Sequence, residues 1–146
     1  MNYIYLGLGD LYLPAVAAAL HLGRLDAKEV PNLEALLALH HFRDGKKDDG
    51  KLYCVGEDQT KNKVYITCAK AQPDVVERAI MSLLTIYSIN AREVQVRPCL
   101  PENPQVVTLK RLFGKTGLKK QQLRLACRFA QNRFTDLVKI SGKDKN

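Results

Sequence analysis

Near the start of the chain, Gly7-Leu8-Gly9-Asp10 stands between an aromatic and β-branched run and an alanine-rich one. Where a strand turns into a helix through glycines, backbone N–H groups lack intrahelical partners and the helix dipole presents its positive end, so the turn can hold a phosphate. The surrounding residues argue against that use. A dinucleotide fingerprint needs a third glycine where Tyr12 stands. Leu13 and Pro14 supply no hydroxyl, and proline has no N–H to give. Asp10 places a negative charge where an anion would sit, but the same charge suits a helix N-terminus, so a structural turn is the favoured reading. Binding at Gly7, Gly9, Asp10 and Tyr12 is the alternative.

The other chemically suggestive stretches are weaker. "GKTG" at residues 114–117 resembles the end of a phosphate loop, but Leu109 occupies the place of its first glycine and the segment follows a helix pattern. Gly114 and Gly117 read as helix-breaking linkers. Ser82, Ser88 and Ser141 sit in no nucleophile elbow. Cys54, Cys68, Cys99 and Cys127 include no Cys-x-x-Cys pair and read as buried or half-buried thiols in a reducing compartment. His21, His40 and His41 have no metal-ligand spacing with them, so neither a metal nor a cofactor is expected, and no catalytic residue is assigned. Glu57 and Asp58 lie in a polar loop, where Asp58 can orient a turn through its own backbone.

Charge is the strongest remaining signal. Residues 1–103 carry 12 Lys plus Arg against 13 Asp plus Glu, whereas residues 104–146 carry 11 against 2. The whole net charge of +8 therefore comes from the C-terminal part. Lys120, Arg124 and Arg128 are spaced by four on a helical pattern, with Lys110, Arg111, Lys115 and Lys119 upstream. Such a basic face could meet an acidic protein or track nucleic-acid phosphates, although no aromatic stacking platform accompanies it.

The elements that must position these residues follow from periodicity and turn chemistry. Residues 2–6 suit a first strand, and residues 15–22 a helix begun by Pro14 and ended by Gly23. Asn32 caps a second helix over residues 32–40. Strands over residues 52–55 and 64–68 form a hairpin around "GEDQTKN". A helix over residues 73–89 carries the core stripe Val76, Ile80, Leu83, Leu84 and Tyr87. A last strand spans residues 93–97, and helices over residues 105–113 and 120–138 complete the chain. In the last of these Leu123, Ala126, Ala130, Phe134 and Leu137 face the body.

This order predicts an α/β fold: a small mixed sheet of about four strands covered by helices. The first and last strands would lie parallel near its centre, a central β-hairpin would complete it, and two basic helices would follow. With 146 residues, 46% of them hydrophobic, residues 1–146 form a single domain able to bury about 70% of its unfolded surface. Neither a membrane span nor a signal peptide is present in the pattern, so a cytoplasmic protein without membrane contact is expected.

Three stretches carry a resemblance: "YIYLGLG", "AAALHLGRL" followed by a proline and "EALLAL", and "GEDQTKNKVY". Over nearly its full length the chain resembles an uncharacterised bacterial family of unknown function, found mainly in spore-forming lineages. That family usually shows Gly-x-Asp-x-x-Gly-Asn-x-Val-Tyr in the third stretch, and Gly56, Asp58, Asn62, Val64 and Tyr65 keep it. The family's Gly-Gly-x-His-Ser-Ser falls on Gly9, Asp10, Leu11, Tyr12, Leu13 and Pro14, where only Gly9 survives. Its Gly-Arg-Pro falls near Gln122, Leu123 and Arg124. The resemblance implies no activity, and the departures imply that a site built on those residues is altered or lost. The combined reading favours a non-catalytic binding or interaction module with a basic C-terminal face. The alternative is a ligand- or phosphate-binding protein, or an enzyme, with its site at the first strand-to-helix turn.

Overall fold

The structure is a computed structural model that describes residues 1–44, 51–70, 72–100 and 119–142. Four strands, β1 (Asn2–Leu8), β2 (Tyr53–Glu57), β3 (Lys63–Ala69) and β4 (Val94–Pro98), form one sheet in the order β2-β3-β1-β4. β1 runs parallel to β3 and to β4, and β2 pairs antiparallel with β3 as the expected hairpin. Two placements differ from the sequence reading: the hairpin lies at one side of the sheet rather than its centre, and β4 forms the opposite edge. Burial explains the order. Ile4 to Gly7 are buried on both faces, which demands an interior strand, whereas β4 has only half-buried and exposed residues and tolerates an edge.

On one face, Tyr5 of β1 and Val64, Ile66 and Cys68 of β3 meet α1 (Tyr12–His21) in the main core. Ala17 and Ala18, with no exposed surface, let α1 approach the sheet closely. The helix begins before Pro14, which sits in its first turn where no N–H is required. Gly23, with φ of 71°, follows its end. The single helix expected after Asn32 is instead two short ones, α2 (Leu33–Leu37) and α3 (His40–Asp44), although Asn32 does cap α2, accepting from Ala35 N at 2.8 Å.

The opposite face is covered by α4 (Pro73–Ile86), which packs on β1 and β3. Its expected core stripe is corrected: Val76, Ile80 and Leu84 are half-buried, while Leu83 and Tyr87 are 53% and 72% exposed. A helix on a narrow sheet can bury only the strip that touches it. The last helix is also divided, into α5 (Lys119–Asn132) and α6 (Phe134–Ser141), at Arg133. The Arg133 guanidinium binds the Leu100 carbonyl and the Asp136 carboxylate, both at 2.9 Å. Ala126, Ala130, Phe134 and Leu137 are buried and Leu123 packs against the same core, as their spacing required. The helix expected over residues 105–113 lies outside the described residues. Among the described residues, no helix is long and apolar enough to cross a membrane.

Candidate ligand-binding site

Because α1 runs back along the sheet, its last residue, His21, returns to the amino-terminal end of the parallel strands. There it meets Tyr3 and Tyr5, two residues apart on β1 and therefore on one face of the strand. The ring centroids of Tyr3 and His21 are 4.5 Å apart, edge to face. The β2–β3 turn brings Asp58 to the same place, and β4 brings Arg97, which is in register with Tyr5.

These side chains form one chain of hydrogen bonds. Arg97 Nη1 donates to the Tyr5 hydroxyl at 3.1 Å. That hydroxyl lies 2.7 Å from His21 Nδ1, and His21 Nε2 lies 3.1 Å from Asp58 Oδ2. Burial pushes the Tyr5 phenol well above its usual range despite the charge and hydrogen bond of Arg97, so the phenol keeps its proton. Burial also pulls the Asp58 carboxyl upward. Hydrogen bonds from the side chain and backbone of Asn62, and from Thr60 and His21, outweigh that pull and hold it well below the usual carboxylate range. An ionised carboxylate can only accept, so His21 Nε2 donates to Asp58, and with the imidazole neutral the Tyr5 hydroxyl donates to Nδ1.

Asp58 is heavily used. Oδ1 accepts from Thr60 N, Thr60 Oγ1 and Asn62 N, and Oδ2 accepts from Asn62 Nδ2 and His21 Nε2, all within 3.1 Å. The expectation that Asp58 orients its turn through backbone hydrogen bonds therefore holds, and the same carboxylate ties the hairpin to α1. Gly56 completes the fit: a Cβ there would stand 3.3 Å from Leu22 and 3.2 Å from Arg24.

Beside this network lies a cavity of about 460 Å³, lined by Tyr3, His21, Asp58, Thr60, Arg97 and Ser141 among others. Five structural pieces contribute to it: β1, the end of α1, the β2–β3 turn, β4 and the end of α6. Arg97 forms one wall. Its guanidinium carbon sits 4.6 Å from the centre of the Tyr3 ring, and it donates to the Ile140 carbonyl at 2.9 Å and to Gln95 Oε1 at 3.1 Å.

The residues singled out in the first strand-to-helix turn lie elsewhere, at the carboxyl ends of the strands. Gly7, Asp10 and Tyr12 are buried and Gly9 is half-buried. Asp10 Oδ1 accepts from Tyr12 N at 3.2 Å, and the Tyr12 ring packs edge to face on Phe42 at 5.1 Å. Burial, followed by the charges of Asp10 and Cys127, pushes the Tyr12 phenol up to about 12. Gly9 has φ of 76° and donates its N–H to the Ala69 carbonyl at 2.7 Å.

In the basic set, Lys120, Arg124 and Arg128 are exposed on α5. Lys119 begins that helix, and Lys110, Arg111 and Lys115 lie outside the described residues. Cys68, Cys99 and Cys127 are buried, but Cys54 is exposed on the edge strand β2, contrary to the expected burial.

Sequence reasoning missed Tyr3, Tyr5, His21 and Arg97 as partners. The alternation of Tyr3 and Tyr5 was a readable signal that they share a face. The separation of 37 residues between His21 and Asp58, and of 92 between Tyr5 and Arg97, carried none.

A mixed four-stranded sheet with helices on both faces and a polar cavity at the amino ends of its parallel strands defines a small α/β protein. The chain belongs to the family described as protein of unknown function (DUF3189), whose model matches residues 2–146. No curated protein and no solved structure matches it.

Proposed function

We propose that the protein is a non-catalytic binding protein that takes a small polar molecule in the cavity beside His21 and Arg97. The observation that carries this reading is the cavity itself: about 460 Å³, within the range of small-molecule pockets. Binding is the reading adopted because the hydrogen bonds of His21 and Asp58 serve the fold, tying the hairpin to α1 and β1. Both nitrogens of His21 are hydrogen-bonded, and the two oxygens of Asp58 take five donors. Amide-resolved NMR with a mixed panel of charged and neutral fragments tests the reading. Bound fragments should shift Tyr3, His21, Thr60 and Ser141 together; a panel that perturbs only other surfaces, or nothing, rejects it.

A second reading concerns α5. Lys120, Arg124 and Arg128 are exposed while Ala126 and Ala130 of the same helix are buried, so the basic row faces solvent and suits an acidic partner. If that partner is nucleic acid, affinity for single-stranded RNA or duplex DNA falls steeply with salt and is lost in the R124E/R128E double variant. Salt-independent or unchanged binding rejects it.

A further inference from the structure

Resting on the cavity reading, we infer that the ligand is an oxyanion, a carboxylate or a phosphate, gripped by Arg97. A guanidinium has five N–H donors and no acceptor. In Arg97 three hydrogen bonds are formed, to the Tyr5 hydroxyl, the Ile140 carbonyl and the Gln95 side-chain oxygen, and all three acceptors are neutral. The group is half-buried, and among the described residues no carboxylate lies within ion-pairing distance of it. A cation drawn partly out of water is ordinarily balanced by an anion. Here the described residues supply dipoles and the Tyr3 ring but no counter-charge.

The acidic residues of the cavity do not fill that role. Asp58 points its oxygens at Thr60, Asn62 and His21, and Glu57 is exposed at the rim. Gly142, at the end of α6 with φ of 80°, lies beside the guanidinium: a Cβ there would stand 3.5 and 3.9 Å from Nη1 and Nη2, in ordinary contact. Among the described residues, the Arg97 donors left without an acceptor are Nε–H and one N–H of Nη2. Two N–H groups of one planar guanidinium match the two oxygens of a carboxylate or phosphate, a geometry that lysine cannot reproduce. Its rigidity is built in, because Tyr5, Ile140 and Gln95 hold the guanidinium in place before any ligand arrives.

The test is an NMR titration of the whole protein with inorganic phosphate and, separately, with acetate, reading the Arg97 Nε–H and the Gly142 amide. Tetramethylammonium chloride and urea serve as cationic and neutral controls. At least one oxyanion should shift both signals saturably, and preference between the two decides which source of oxyanion the site is built for. Arg97→Lys and Arg97→Gln should weaken that binding by about tenfold or more, while R124E/R128E leaves it unchanged. The wild-type Nε–H shift needs no variant, so the inference stays testable even if an Arg97 variant folds poorly. Oxyanion shifts confined to α5, or binding unchanged in well-folded Arg97→Gln, overturn the inference. Cavity occupation by neutral or cationic fragments with none by oxyanions overturns it while leaving the cavity reading intact. No cavity occupant of any charge overturns both.

Discussion

The two ends of the parallel strands present opposite solutions to one problem. At the carboxyl ends, where α/β folds commonly place ligands, the turn after β1 closes on itself. Leu11, Tyr12 and Leu13 are at most 3% exposed, and the approach that Gly7 permits is used by the chain's own Asp10 carbonyl and Pro14 ring. At the amino ends, the residues meeting across α1, β4 and the hairpin are polar, and they leave a cavity. A glycine in a strand-to-helix turn signals that something approaches the backbone closely. Here that something is the protein.

The strongest way to break this contrast is to crowd the closed end. A Cβ on Gly7 would stand 2.5 Å from the Asp10 carbonyl oxygen and 2.6 Å from Pro14 Cγ. Neither a backbone carbonyl nor a proline ring can swing aside, so the turn must shift. Gly7→Ala should lower unfolding free energy by about 3 kcal/mol in urea denaturation. A loss under about 1 kcal/mol would mean that the turn has slack, and the carboxyl end would again qualify as a place for a ligand.

The open end should respond through charge instead. Asp58→Asn keeps the shape but replaces an ionised acceptor of five hydrogen bonds with an amide that must present donors to several of them. At neutral pH the loss should be about 2 kcal/mol. Because the folded-state carboxyl is held below its usual value, its contribution is fully present above the unfolded carboxylate pKa. It disappears as pH falls through the folded one. The difference between wild type and Asp58→Asn should therefore shrink as pH drops below about 4. A gap that stays constant between pH 7 and pH 3 would show that the Asp58 charge does not bind the hairpin to His21.

What could be read in the sequence divides along the same line. Local signals placed β1, α1, the hairpin, the Asn32 cap and the inward row of α5 and α6, because turn residues and apolar periodicity act within a few positions. The placing of the Asp10 charge beside the helix start was legible for the same reason, although Leu11 holds the N-cap position and no side chain caps it. The strand order was less so: the hairpin pattern is the same wherever the sheet seats it. The exposure of Leu83 and Tyr87 shows that an apolar stripe states what a helix could bury, while the width of the sheet decides what it does bury. The cavity was hidden because its members are brought together by β1–β4 register and by the return of α1, which no spacing in the sequence encodes.

The smallest effect expected lies in the hairpin that carries Asp58. Lys61 has φ of 62°, a left-handed conformation, and its N–H donates to the Asp58 carbonyl at 3.0 Å. A side chain there costs about 1–2 kcal/mol, partly offset by the greater unfolded-state freedom that glycine would bring. Lys61 is exposed, so removing its side chain loses little packing. Lys61→Gly should thus stabilise the protein by about 0.5–1 kcal/mol, visible as a rise in Tm with the Arg97 Nε–H signal unmoved. A fall in Tm would mean that the lysine side chain supports the turn, and the open end would then depend on more than the Asp58 network. A rise would place the remaining strain of the hairpin in a single backbone angle, apart from the groups that face the cavity.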